Sequence, residues 1–162
     1  MDRLELEIVT PGGKALSETV DEVTAPGVQG EFGILPGHIP VLASLRAGIV
    51  SYRKGNETMR CAIGQGFAEG GPTKLLILTD DYREREKIDP VQVKQELQKV
   101  QDEIQKADTT PAERKTLIVR ESWLAAQLDL YGGEATPAIM RPSDDWDKED
   151  DNDVVATDDS SN

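Results

Sequence analysis

The chain has 162 residues, with 18 Lys+Arg against 31 Asp+Glu and a formal charge of −13, so it repels nucleic acid and anionic lipid rather than seeking them. Its length fits one folding unit of ordinary size with a small appendage. Only seven residues are Phe, Trp or Tyr, so aliphatic side chains must build most of the core, and no apolar run approaches the ~20 residues that cross a bilayer.

The first ten residues alternate charges with aliphatics and have neither a basic leader with an apolar centre nor an Arg/Ser-rich transit pattern. The expectation is a chain that stays in its compartment of synthesis. Cys61 is the single cysteine, which rules out an intrachain disulfide and fits a reducing compartment. Leu4, Leu6 and Ile8 alternate with Glu5 and Glu7, the pattern of a strand with one buried face. Pro11-Gly12-Gly13 ends it.

The segment Val23 to Leu42 holds four Gly and three Pro in 20 residues and reads as a rigid surface of turns rather than a regular element. Two β-rich runs, Ile49 to Tyr52 and Met59 to Ile63, flank Lys54-Gly55-Asn56-Glu57, a hairpin turn. Leu75 to Leu78 reads as a strand buried on both faces. Gly and Pro punctuate this half at short intervals, as in an antiparallel sandwich or flattened barrel.

After Lys87 the period changes. Asp89 is a helix cap, Pro90 suits a first turn, and Val93, Leu97, Val100 and Ile104 form one stripe. Thr110 and Glu113 form a capping box for a second helix with Leu117, Leu124, Leu128 and Tyr131 on a stripe, stopped by Gly132-Gly133. The fold class is therefore α+β: an N-terminal antiparallel β-sandwich over residues 1–86, then an antiparallel two-helix hairpin over 87–133. Residues 134–162 read as a disordered acidic tail. From Pro142 to Asn162 there are nine acidic groups and one Lys, too little apolar surface to offset the entropy of ordering.

Catalytic templates fail one by one. A site of imidazole ligands needs more than His38, the single histidine. The alternating Asp145, Asp147, Glu149 and Asp151 lack the glycine that a calcium loop needs at its turn. Gly64 to Gly70 misses the third glycine of a dinucleotide loop by one position. Cys61 and His38 are a nominal nucleophile and base, but Cys61 sits inside a strand. No catalytic residue, cofactor site or metal site is expected.

Ala25-Pro26 through Gly30-Glu31-Phe32-Gly33-Ile34-Leu35-Pro36-Gly37-His38, with Leu45, Gly48-Ile49-Val50, Gly64, Gly66-Phe67 and Leu76 to Asp80, resembles the epsilon subunit of bacterial F-type ATP synthase, the counterpart of the mitochondrial delta subunit. The resemblance spans about residues 3 to 131. It implies a non-catalytic subunit of the rotating central stalk whose sandwich binds the gamma subunit and rests on the ring of c subunits. Such a subunit couples proton flow to ATP synthesis, and its helices inhibit ATP hydrolysis. It further implies a peripheral place on the cytoplasmic face of the bacterial inner membrane, held there only through the complex. By position, Gly30, Glu31, Phe32 and Gly33 match the loop that faces the c-ring, and Pro36, Gly37 and His38 the segment that meets gamma. For His38 a loop imidazole bonded to nearby backbone is the competing reading. Arg114, Lys115 and Arg120 match basic residues that meet the beta subunit, with a solvated helix face as the competing reading; alpha is a further neighbour.

Some bacterial members bind ATP through a motif at the start of the first helix. Here Gln92 and Val93 stand where the motif has Arg and Ala, and the loss of a guanidinium implies no strong ATP sensing. The alternative function is a β-sandwich protein-binding module of another assembly.

Overall fold

The computed structural model describes residues 2–106 and 108–132; the expected acidic tail lies outside them. Ten strands form one sheet that folds over on itself: β1 (Leu4–Thr10), β2 (Gly13–Val20), β3 (Glu22–Gly27), β4 (Gly30–Ile34), β5 (Val41–Leu45), β6 (Gly48–Lys54), β7 (Glu57–Ile63), β8 (Gly66–Gly70), β9 (Lys74–Thr79) and β10 (Tyr82–Glu84). A 3-10 turn, Arg85–Lys87, leads to α1 (Pro90–Gln105) and α2 (Pro111–Gly132). No helix among the described residues is long and apolar enough to cross a membrane.

The strand order is β10-β7-β6-β3-β5-β8-β9-β1-β2, with β4 pairing β3 off this path. The expected antiparallel pairing holds except between β1 and β9, which run parallel with Leu6 opposite Leu75 and Ile8 opposite Ile77. That parallel pair closes the sandwich between its first and ninth strands, a long-range pairing for which neither segment carries a local signal. The interior is built by alternation: Leu4, Leu6 and Ile8 from β1 meet Val23, Ile34, Val50, Ile63, Leu75 and Ile77 in one buried cluster.

Two sequence readings of the sheet change. Leu75 and Ile77 are fully buried, but Leu76 is half-buried and Leu78 is exposed, so β9 has one covered face, not two. The Gly- and Pro-rich segment is mostly regular, comprising β3, β4 and the start of β5. Its glycines serve turns and close approaches: Gly30 takes φ +130 at the β3–β4 turn, a conformation that favours glycine. Gly66 begins strand β8. The Gly55-Asn56 turn between β6 and β7 is as expected, with Lys54 paired to Glu57 and Gly55 at φ +62.

The hairpin packs on the outer face of β6 and β7, where Ala47 and Ala62 are small enough to admit Trp123, Leu124, Ala126 and Leu128. In α1, Val93 and Ile104 are buried and Leu97 and Val100 half-buried. The Asp89 side chain accepts from the Gln92 N–H at 3.2 Å. The capping box is reciprocal: Thr110 Oγ1 accepts from the Glu113 N–H at 3.2 Å, and Glu113 Oε2 from the Thr110 N–H at 3.0 Å. Of the expected stripe on α2, Leu124 and Leu128 are buried and Leu117 half-buried, but burial is not confined to that stripe. From Glu121 to Leu128 all but Ser122 are buried, because this half lies between α1 and the sheet, whereas Tyr131 is exposed.

Candidate docking surface

One row of outward positions across β5, β8, β9 and β1 is apolar, beside rows that carry Glu69, Lys74, Glu5 and Glu7. Phe67 pairs with Leu78 and with Ser44, and Leu78 pairs with Val9, so these residues adjoin across four strands on the face opposite the core. Phe67 is 56% exposed, Leu78 47% and Leu42 73%. Val28, 60% exposed at the β3–β4 turn, joins them, since its N–H donates to the Ser44 carbonyl at 3.0 Å and both border one groove with Leu45, Phe67 and Leu78. A contiguous apolar patch of this kind marks a protein contact surface.

The face is bracketed at its two ends. At one end, where Gly27 pairs with Leu45, lies the turn from Gly27 to Gly30. At the other, where Val41 pairs with Gly70, lies the loop from Leu35 to Pro40, with Leu35 and Ile39 exposed. That loop is braced: the Gly37 N–H donates to the Pro72 carbonyl at 2.7 Å and the His38 N–H to the Leu35 carbonyl at 3.1 Å. His38 Nδ1 lies 2.6 Å from the Ile39 carbonyl, so Nδ1 carries the proton and donates to it. This is the backbone-bonded imidazole that the sequence allowed.

The loop expected at Gly30 to Gly33 is a strand. Gly30, Glu31, Phe32 and Gly33 lie in strand β4, with Glu31 opposite Pro26 and Phe32 opposite Ala25; Gly30, Glu31 and Gly33 are exposed and Phe32 is half-buried. Pro36, Gly37 and His38 sit past the far end of that strand. The basic residues of α2 are on the other layer. Two of them serve the hairpin itself: Arg114 donates to the Ile104 carbonyl at 3.3 Å, closing the end of α1, and Arg120 pairs with Glu96 at 2.8 Å. These contacts run α1 against α2 in opposite directions. Lys115 is exposed.

Cys61 offers no nucleophile. It is 1% exposed in β7, and burial pushes its thiol up to about 12, so the thiolate is scarce at neutral pH. No group of three or more His, Cys, Asp or Glu side chains among the described residues is arranged to hold a metal ion. At the seam between hairpin and sandwich, burial raises the Asp81 carboxyl, with Arg120 opposing the shift.

The outer-face residues Phe67 and Leu78 stood among the residues that carry the resemblance, and Leu42 closed the Gly- and Pro-rich segment, but none had an assigned contact. Their signal was present in the apolar outward positions of β8 and β9, but a continuous apolar run reads equally as a strand covered on both sides.

Residues 3–85 match the model of the beta-sandwich domain of the ATP synthase Delta/Epsilon chain. The ATP synthase epsilon chain of Magnetococcus marinus is 38% identical over 131 residues, covering 81% of this chain and 96% of the relative. That of Syntrophobacter fumaroxidans is 49% identical over 94 residues, covering 57% and 69%. Among solved structures, a chain of the Euglena gracilis mitochondrial ATP synthase matches with a TM-score of 0.67 at 23% identity, over 76% of this chain and 78% of that one, which extends the likeness in fold across sandwich and hairpin. With a family domain over the sandwich and a full-length relative beyond it, the chain belongs to the ATP synthase delta/epsilon family.

Proposed function

We propose that this chain is the non-catalytic rotor subunit that joins gamma to the c-ring in an F-type ATP synthase, transmitting proton-driven rotation to ATP synthesis. The observation that carries this reading is the apolar outer face of β5, β8 and β9, stiffened by a continuous ladder and flanked by two braced turns. A coupling element must transmit torque without deforming, and a sheet whose contact residues project from paired strands does so. The face buries apolar area when a partner covers it.

On this reading Gly30, Glu31, Phe32 and Gly33 at the β4 edge meet the c-ring, and Pro36, Gly37 and His38 meet gamma. Membrane association comes through the complex, on the cytoplasmic face. The hairpin is the regulatory part, and on its release Arg114, Lys115 and Arg120 approach an acidic segment of the beta subunit, with alpha adjacent. Crosslinking tests the first part. Single Cys variants Glu31→Cys and His38→Cys in intact membranes should label the c-ring and gamma respectively, with buried Cys61 silent. Labelling of neither would assign the sandwich to another assembly.

A further inference from the structure

Glu121 is a buried carboxyl group that the fold leaves short of hydrogen-bond partners. Its residue is 1% exposed, at the α1–α2 contact. Oε1 accepts from the Gln101 amide at 3.4 Å, a long bond from a neutral donor. Oε2 is the one buried side-chain oxygen or nitrogen among the described residues with no hydrogen-bond partner. Two guanidinium groups on the same helix reach α1, but each is committed elsewhere, Arg114 to the Ile104 carbonyl and Arg120 to Glu96. A carboxylate taken out of water with one weak donor is destabilising, and separation of the helices would hydrate both oxygens.

We propose that Glu121 is a release element built into the hairpin: a carboxylate sealed between α1 and α2 with an unsatisfied oxygen, which keeps the folded hairpin close in free energy to its opened form. Gln101 is its counterweight, the hydrogen-bond donor to this carboxyl from α1. This deepens, and for its consequence in the complex rests on, the reading of the hairpin as regulatory. A partner that binds the opened helices therefore meets a smaller opening cost than apolar packing alone would set.

Hydrogen exchange of the full chain, followed on peptides covering α1 and α2 with the sandwich peptides as internal reference, tests it. Glu121→Gln and Glu121→Leu remove the carboxyl group, the first keeping an amide for Gln101 to meet and the second keeping only bulk. At least one should lower the opening equilibrium of α2 by about tenfold, while Gln101→Leu should raise it. If neither Glu121 variant lowers opening, the carboxylate is an anchor and the proposal is overturned. Hydrolysis of ATP by the assembled complex then separates the two readings. Reduced opening with greater hydrolysis supports both, and reduced opening with unchanged hydrolysis keeps the role of Glu121 and removes the regulatory reading.

Discussion

Side chain by side chain, the sandwich is specified most tightly where no side chain exists. A Cβ placed on Gly66 would collide with the Leu78 carbonyl of the paired strand, and the obstruction is backbone, which cannot rotate away. Gly66→Ala should therefore cost at least about 2 kcal/mol, at the upper end of overpacking changes, read as a fall in the urea midpoint. Gly55→Ala, strained by its positive φ at an open turn, should cost less because nothing blocks the added carbon.

Charged residues on the same sheet give a pH signature. The hydrogen bond from Lys74, then that from Lys14, lowers the Glu7 carboxyl from 4.5. The Gly55 N–H, then Arg3 and Arg53, lowers Asp21 from 3.8. Carboxylates depressed in the folded state contribute stability above their unfolded values and lose it as pH falls through the folded ones. Stability should thus decline as the solution is acidified from roughly pH 5 to 3, and the double variant Glu7→Gln, Asp21→Asn should show a flatter decline in thermal midpoint. An equally steep decline would place the acid sensitivity elsewhere.

Among the elements, those with local signals were legible in the sequence. The helix starts rest on chemistry contained within four residues, Asp89 to Gln92 and Thr110 to Glu113, and both caps have the expected partners. The Gly55-Asn56 hairpin is of the same kind. The β1–β9 pairing and the burial of the second half of α2 depend instead on what packs from far along the chain. Leu78 and Leu128 look alike in sequence, yet one faces outward from the sheet and the other is buried between α2 and the sheet. For the docking face, motif resemblance pointed to β4 and the loop after it, while the apolar face of β8 and β9 emerged only when register fixed which residues point away from the core.

The start of α1 also bears on nucleotide binding. The Asp89 carboxylate is occupied with the Gln92 N–H, and the depression beside it contains Arg83, Lys87 and Arg120 but also Asp81 and Glu96. Arg120 is already paired with Glu96, and Gln92 supplies an amide where a guanidinium would bind phosphate bidentately. Isothermal titration of the full chain with ATP should show no binding at micromolar concentration, and binding there would mean that Arg83 and Lys87 replace the missing Arg.

For the molecule as a whole, the decisive quantity is charge and how it is divided. The chain carries −13, and Pro142 to Asn162 alone carries nine acidic groups and one Lys. The folded hairpin holds Arg114 and Arg120 in internal contacts and exposes Lys115. In the opened hairpin proposed above, all three cations would be available, both to an acidic surface of a partner and to the chain's own acidic segment. Competition between the two follows Coulomb attraction over distances comparable with the screening length, about 10 Å at 0.1 M salt and about 3 Å at 1 M. Deleting residues 134–162 should accordingly deepen inhibition of ATP hydrolysis by the assembled complex at low salt, with the difference from the full chain vanishing as salt rises. Identical inhibition across the salt series would leave the acidic segment with solubility as its contribution, because a competitor that acts through charge must lose its effect when charge is screened.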